Sequence, residues 1–204
     1  FAHDVSIIAD VGMPKLDRPS IIYGLRGILY TEICVYGPKQ DVHSGVYGGV
    51  IPNPANVLAA ILASLKTKQG KITIPGFYDQ VIPITPSERR ILNLYPKTED
   101  DIKANTGLTK LTTEPGVKFY EQTKIRPSLD INGLYSGYTG PGSKTIIPAT
   151  ATAKVSMRLV PDQDPDIIYR HFAAFIKKQA QSYYVKANVK KLGSEPAVVT
   201  HHHS

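Results

Sequence analysis

The pattern of hydrophobic and polar positions divides the chain into regular stretches on either side of an irregular middle. GILYTEICVYG alternates, with Leu29, Thr31, Ile33 and Val35 on one face of an extended chain and Tyr30, Glu32, Cys34 and Tyr36 on the other. A period of two carried by β-branched and aromatic residues predicts a half-buried strand. Past a glycine-rich turn the period lengthens. In PNPANVLAAILASLKTKQG, Val57, Ile61 and Leu65 form one row with Leu58 and Leu62 beside it, which predicts a helix with a broad apolar face. Asn53 is its expected N-cap, Pro54 suits the first turn, and Gly70, after Lys66 and Lys68, is the expected stop.

The last third is regular again. ATATAKVSMRLV sets Ala151, Ala153, Val155, Met157 and Leu159 against Thr150, Thr152, Lys154, Ser156 and Arg158. DPDIIYRHFAAFIKKQAQ opens with Asp164 as N-cap and Pro165 at the first position, carries Ile168, Phe172, Phe175 and Ile176 as its stripe, and is followed by the alternating YVKANVKK. The middle, from about residue 72 to 127, is proline-rich and holds the helix-like SERRILNLY and the acidic TEDDIKANTG. It reads as an irregular, partly helical insertion, and the TEDD carboxylates suit a first helical turn, where the dipole favours them, better than a metal cluster. No internal repeat is present. The order strand, helix, insertion, strands, helix, strand predicts an α+β two-layer sandwich, an antiparallel sheet with two helices on one face in the ferredoxin-like manner.

Composition narrows the classes of function. The 204 residues suit one large or two small domains, and 42% hydrophobic with 20% charged residues is ordinary for a globular protein. No apolar run approaches a membrane span, and FAHDVSIIAD lacks the features of a secretory signal. The single cysteine, Cys34, cannot form an internal disulfide, which fits a reducing, cytoplasmic setting. A net charge of +7 raises nucleic acid as a partner, yet the basic residues are scattered in short pairs such as Arg89–Arg90 and Lys177–Lys178. The strands also lack the interleaved aromatics of an RNA-reading sheet, so no nucleic-acid partner is expected. His201, His202 and His203 are either a purification-tag remnant (201–204) or a short metal-binding tract and are set aside.

Candidate chemistry is sparse. GYTGPGSKT nearly matches a phosphate loop, but Ser143 intrudes before Lys144 and the next segment is strand-like, whereas a phosphate loop opens a helix. His43, in DVHSGVYGG, is either a turn residue or a catalytic one. Arg158 lies on the polar face of its strand, either as an exposed sheet arginine or as a bidentate carboxylate ligand. There is no His-x-x-x-His pair, no cysteine cluster with metal spacing and no G-x-S-x-G elbow. His43, Thr145 and Arg158 are spread along the chain with no nucleophile or metal between them, which is the look of part of a site.

YGLRG, DVHSGVYGG, IPGFYD, GPGSKTIIP and MRLVPDQDP occur here in the order in which they occur in the carnosinase-like branch of the aminoacylase–carnosinase dinuclear zinc metallopeptidases. The chain resembles the lid, or dimerisation, domain of that family over residues 21–200, with residues 1–20 matching an edge of the catalytic domain. The resemblance implies that His43 reaches into a partner subunit's active site to polarise the scissile carbonyl, a role for a preorganised donor. It also implies that Thr145 and Arg158 grip the substrate's terminal carboxylate, and it makes Asp10 of SIIAD a candidate zinc ligand. The parent would be a cytoplasmic, homodimeric dipeptidase or exopeptidase with two zinc ions, acting on a peptide or acyl-amino acid. The family's upstream histidine, bridging aspartate, glutamate base, neighbouring glutamate and downstream histidine are absent, so this chain alone is expected to bind no zinc and to be inactive. The rival readings are a small-molecule or RNA-binding α+β module and a purely structural dimeriser.

Overall fold

The computed structural model describes residue 17 and residues 21–95 and 98–200. The short β1 (Gly24–Leu25) leads into the long β2 (Gly27–Tyr36), followed by β3 (Val42–His43), the single turn α1 (Ser44–Tyr47) and helix α2 (Pro54–Ser64). Three short helices, α3 (Pro86–Leu92), α4 (Glu99–Thr106) and α5 (Phe119–Lys124), occupy the middle. Then come β4 (Ser128–Ser136), β5 (Ile146–Ile147), β6 (Thr150–Leu159), α6 (Pro165–Ser182), β7 (Lys186–Glu195) and β8 (Val198–Val199). The main sheet has the order β4–β6–β2–β7 with every neighbouring pair antiparallel, and α2 and α6 pack together against one face, the expected two-layer sandwich. Among the described residues no helix is long and apolar enough to cross a membrane.

The alternation in β2 decides which face is covered. Leu29, Thr31, Ile33 and Val35 are buried, while Tyr30 and Tyr36 are exposed on the other side. The register Leu29↔Met157, Thr31↔Val155, Ile33↔Ala153 and Val35↔Ala151 sets the buried residues of β6 directly opposite. Thr31 is polar within this layer, and its hydroxyl donates to the Val155 carbonyl at 3.0 Å, as a buried hydroxyl must. From above, α2 adds Val57, Leu58, Ile61, Leu62 and the flanking Leu65, and α6 adds Ile168, Phe172, Ile176 and Ala180. Burial at about 1.5–3 kcal/mol per large side chain holds the helices down, whereas each cap contributes about 1 kcal/mol and fixes where a helix starts. Asn53 accepts from the Ala55 N–H at 2.9 Å, and Asp164 accepts from Asp166 and Ile167, as expected from the sequence.

The end of α2 differs from expectation. The helix stops at Ser64, and Lys66 pairs with Ile72 across a tight turn instead of running on to Gly70. Thr67 both donates to the Lys71 carbonyl at 2.8 Å and accepts from the Gly70 N–H at 2.9 Å. Gly70 sits at φ +84°, so its left-handed backbone closes a hairpin turn and not the helix. The turn swings Ile72, Ile74 and Phe77 under the main core.

The middle segment is partly helical, and its acidic run starts α4: Thr98 and Asp101 form a capping box with Glu99 and Asp100 in the first turn. A polar network ties its two ends together. Glu114, buried, pairs with Arg126 at 2.5 Å, accepts from Gln122 at 3.2 Å and accepts from the Tyr78 hydroxyl at 3.2 Å. The Tyr78 oxygen in turn accepts from the Ile72 N–H at 3.1 Å, and Arg126 lies over the Tyr78 ring. Glu114→Ala strands the Arg126 charge, and with about a quarter of that side chain still exposed the expected loss is about 2–3 kcal/mol in chemical denaturation. Burial, with the Glu114 carboxylate alongside, pushes the Tyr78 hydroxyl up to about 12. An unfolded tyrosine ionises near pH 10, so the folded state holds this proton more tightly between those values and stability falls as pH rises through the window. Denaturation midpoints measured from pH 9 upward are expected to decline, and Tyr78→Phe to flatten the decline.

Candidate functional site

Where β2 ends, the chain leaves the sheet and forms a small two-stranded extension. β3 pairs with β5 in the register Val42↔Ile147 and His43↔Ile146. Asp41 pins its base, the carboxylate accepting from the Ala149 N–H at 2.8 Å. His43 then caps α1: its Nδ1 accepts from the Gly45 N–H at 3.0 Å. A Cβ at Gly45 would lie 2.7 Å from the imidazole Cε1, so the glycine of HSG is needed for the ring to fold back over its own turn. With Nδ1 accepting, the neutral ring carries its proton on Nε2. The cap therefore sets the tautomer.

Nε2 meets Thr145 Oγ1 at 3.1 Å, and the Ser44 N–H donates to the Thr145 carbonyl at 2.9 Å. With Nε2–H as donor, the threonine hydroxyl accepts from the histidine and keeps its own proton to give away. Both side chains are exposed. The glycine-rich segment that delivers Thr145 folds around Tyr138, whose hydroxyl donates to the Pro141 carbonyl at 2.8 Å while Lys144 stands over its ring at 4.8 Å. β5 follows it, with no helix behind, so it has no phosphate-loop geometry. Two residues more than a hundred positions apart are thus joined into one exposed hydrogen-bonded pair.

Arg158 is elsewhere. It is exposed on the uncovered face near the far end of β6, flanked by Ile28 and Ser128 in the register. The His43–Thr145 pair lies beyond the Thr150 end of the same strand. Eight residue steps at about 3.3 Å put Arg158 about 26 Å from Thr150. Among the described residues its guanidinium has no hydrogen bond or ion pair, so it remains available for an anion. The grouping of Thr145 with Arg158 in one clamp within one chain is therefore not what this geometry brings together. Asp10 and His201, His202 and His203 lie outside the described residues. Among the described residues no three His, Cys, Asp or Glu side chains converge to hold a metal ion, so these residues do not fit a metal centre. What the site offers is a hydroxyl–imidazole donor pair at one end and a guanidinium at the other. Asp41, which anchors the loop, carried no signal in the sequence because its partner is a backbone amide far along the chain.

Residues 23–183 match the model of the peptidase dimerisation domain of M20 peptidases. The Cys-Gly metallodipeptidase dug1 of Schizosaccharomyces pombe is 37% identical over 168 residues, 82% of this chain and 35% of that protein. The Beta-Ala-His dipeptidase of Mus musculus is 33% identical over 205 residues, 95% of this chain and 40% of that protein. The crystal structure of human carnosine dipeptidase 1 superposes with a TM-score of 0.80 at 26% identity, over 91% of this chain and 40% of that one. The M20 family metallo-carboxypeptidase Sso-CP2 from Sulfolobus solfataricus superposes with a TM-score of 0.76 at 34% identity, over 90% of this chain and 48% of that one. The chain spans 35% and 40% of the length of the two dipeptidases. By its matched residues, its sheet order and its paired helices, the chain belongs to the dimerisation-domain family of the M20 metallopeptidases.

Proposed function

We propose that this domain serves a homodimeric metallodipeptidase, or a related exopeptidase, that cleaves a peptide or amide bond beside a free carboxylate. The observation that carries the reading is the exposed, preorganised His43–Thr145 pair standing about 26 Å of strand away from Arg158. A dipeptide is far shorter than that, so one chain cannot bring both ends to one substrate. Two chains can. On this reading His43 and Thr145 act in the partner's site, and Arg158 acts in the site of its own subunit. When substrate binds, the Nε2–H turns from Thr145 Oγ1 to the carbonyl oxygen, and with the threonine hydroxyl it donates there as negative charge develops, which favours the transition state over the ground state. Arg158 meets the substrate's terminal carboxylate with a two-pronged hydrogen bond. The metal centre, a pair of zinc ions on this reading, belongs to the catalytic part of the parent and takes no ligand from residues 21–95 or 98–200. This chain by itself turns over no dipeptide.

Pairing of subunits through α2 and β4 is supported by what those elements leave uncovered. β4 is an edge of the main sheet, and Ile131 and Leu134 are about half exposed along it. The free flank of α2 presents Asn56, Ala59 and Ala63, with no charged residue in the helix. An uncharged helix flank beside an apolar sheet edge suits a two-fold contact in which edge strands pair and helices lie close.

Three measurements test this reading in the full-length enzyme. His43→Ala is expected to lower kcat by about a hundredfold or more with the dimer intact; unchanged turnover would leave the domain a structural dimeriser. Mixing His43→Ala with Arg158→Ala subunits is expected to restore about a quarter of wild-type activity, since half of random dimers are mixed and each carries one intact site. A mixture no more active than its components would sink catalysis across the interface. Leu134→Lys is expected to weaken dimerisation by at least about tenfold in light scattering across a concentration series.

A further inference from the structure

Arg26 is a second guanidinium at the Arg158 end of the sheet, and the proposed reaction leaves it without a part. It directly precedes β2, so with Ile28 it belongs to the uncovered face, and Ile28 is paired with Arg158. Its Nη1 donates to the Arg126 carbonyl at 3.2 Å. Arg126 leads into β4 by way of Pro127, and Ser128 is the β4 residue opposite Arg158. Because β6 lies between β2 and β4 in the sheet order, a side chain that starts at the entry to β2 and ends at the entry to β4 must cross over β6 beside Arg158. Two interstrand spacings, about 9.6 Å, are within reach of a long side chain starting from that backbone. Arg26 is half-buried by this crossing, whereas Arg158 is exposed.

The carboxylates of this end are Asp130 and Glu195. Asp130 is held by Lys66 at 3.4 Å and by the Ser128 hydroxyl at 3.3 Å, and Glu195 lies across β2 from Arg158, opposite Ile28. Neither makes an ion pair with a guanidinium here. Burial, and after it the charge of Arg158, hold the Arg26 guanidinium below its ordinary pKa, with Asp130 partly offsetting them. The part of that shift due to Arg158 has the direction expected of two neighbouring cations.

We infer that Arg26 is a positioning residue for carboxylate recognition: anchored at its tip, it keeps Arg158 extended by like-charge repulsion and adds a second positive charge to the field that draws in the substrate's terminal carboxylate. The inference rests on the proposed reading of Arg158 as the carboxylate ligand. The anion relieves the repulsion as it binds, so the pair discriminates between a free carboxylate and a neutral amide more sharply than one guanidinium does.

The test is steady-state kinetics of the full-length enzyme on a dipeptide and on its C-terminal amide, with Arg26→Gln, Arg26→Lys, Arg158→Ala and the Arg26→Gln/Arg158→Ala double variant. Glutamine removes the charge together with the reach to the Arg126 carbonyl, lysine keeps the charge alone, and thermal melts report whether the fold is kept. Arg26→Gln is expected to raise KM for the free dipeptide by about tenfold. Its kcat should move by less than about twofold, the amide should be affected much less, and Arg26→Lys should restore most of the loss. In the Arg158→Ala background the same change should add little, since the two act as a unit. Equal effects on both substrates, or none, would overturn the assignment of Arg26 while leaving Arg158 standing. If Arg158→Ala itself fails to discriminate between the substrates, the carboxylate reading and this inference fall together.

Discussion

Ten consecutive pairs join β2 to β6, from Gly27↔Leu159 to Tyr36↔Thr150, and the residues of the proposed site hang from the two ends of that ladder. At one end the chain runs out into the His43 loop and returns through Thr145; at the other it enters past Arg26 and leaves past Arg158. The rise of an antiparallel strand, about 3.4 Å per residue, cannot be compressed without breaking its hydrogen bonds. The ladder therefore fixes a separation of about 30 Å between its ends, and no rearrangement of side chains closes it. A domain built this way cannot assemble both groups around one small ligand. On the proposed reading it serves two sites at once.

The rigidity of this spacer follows from where irregularity is tolerated. Both register shifts lie in the outer ladders, at Tyr30/Thr31 against β7 and at Ile131/Gly133 against β4. The central ladder has none. Its covered face is filled by buried, mostly apolar residues from the two strands, against which Leu58 and Ile61 of α2 and Phe172 and Ile176 of α6 are fully buried. A bulge here would rotate one strand's side chains out of that layer, exposing residues such as Ile33 and Met157 at about 1.5–3 kcal/mol each. Bulges at the edges cost less, because β4 already leaves Ile131 and Leu134 half in solvent.

The core was legible in the sequence because its determinants are local and periodic. The period of two in β2 and β6 and the rows of α2 and α6 named most of the buried residues, with Phe175 only partly buried and Ala180 joining the α6 core instead, and Asn53 and Asp164 marked the helix starts. The motif resemblance singled out His43, Thr145 and Arg158, but their relative placement could not be read from spacing. β3 and β5 are two residues each, too short to show alternation, and their pairing joins segments about a hundred positions apart. The end of α2 was missed for a related reason. Lys66, Lys68 and Gly70 are as compatible with a helix C-terminus as with a hairpin turn, and what decides is the pull of Ile72, Ile74 and Phe77 toward the core. Arg26 was invisible as a site residue because its role depends on which strand lies between it and Arg126.

The polar network within the middle segment acquires a use in this light. A buried ion pair such as Glu114–Arg126 contributes little net stability compared with apolar packing of similar volume, because desolvation consumes most of its attraction. It does impose direction. Glu114 engages the Arg126 guanidinium, the Gln122 amide and the Tyr78 hydroxyl at once, and the Gln122 Oε1 accepts from the Glu114 N–H at 3.1 Å. Those contacts leave Arg126 few ways to sit, and its carbonyl is the acceptor for Arg26. An apolar plug would hold the segment down at least as firmly, but it would let that carbonyl shift or turn. The hydrogen-bonded network keeps it aimed at the guanidinium that crosses β6, so the placement of charge beside Arg158 is set from the middle segment as much as from the sheet.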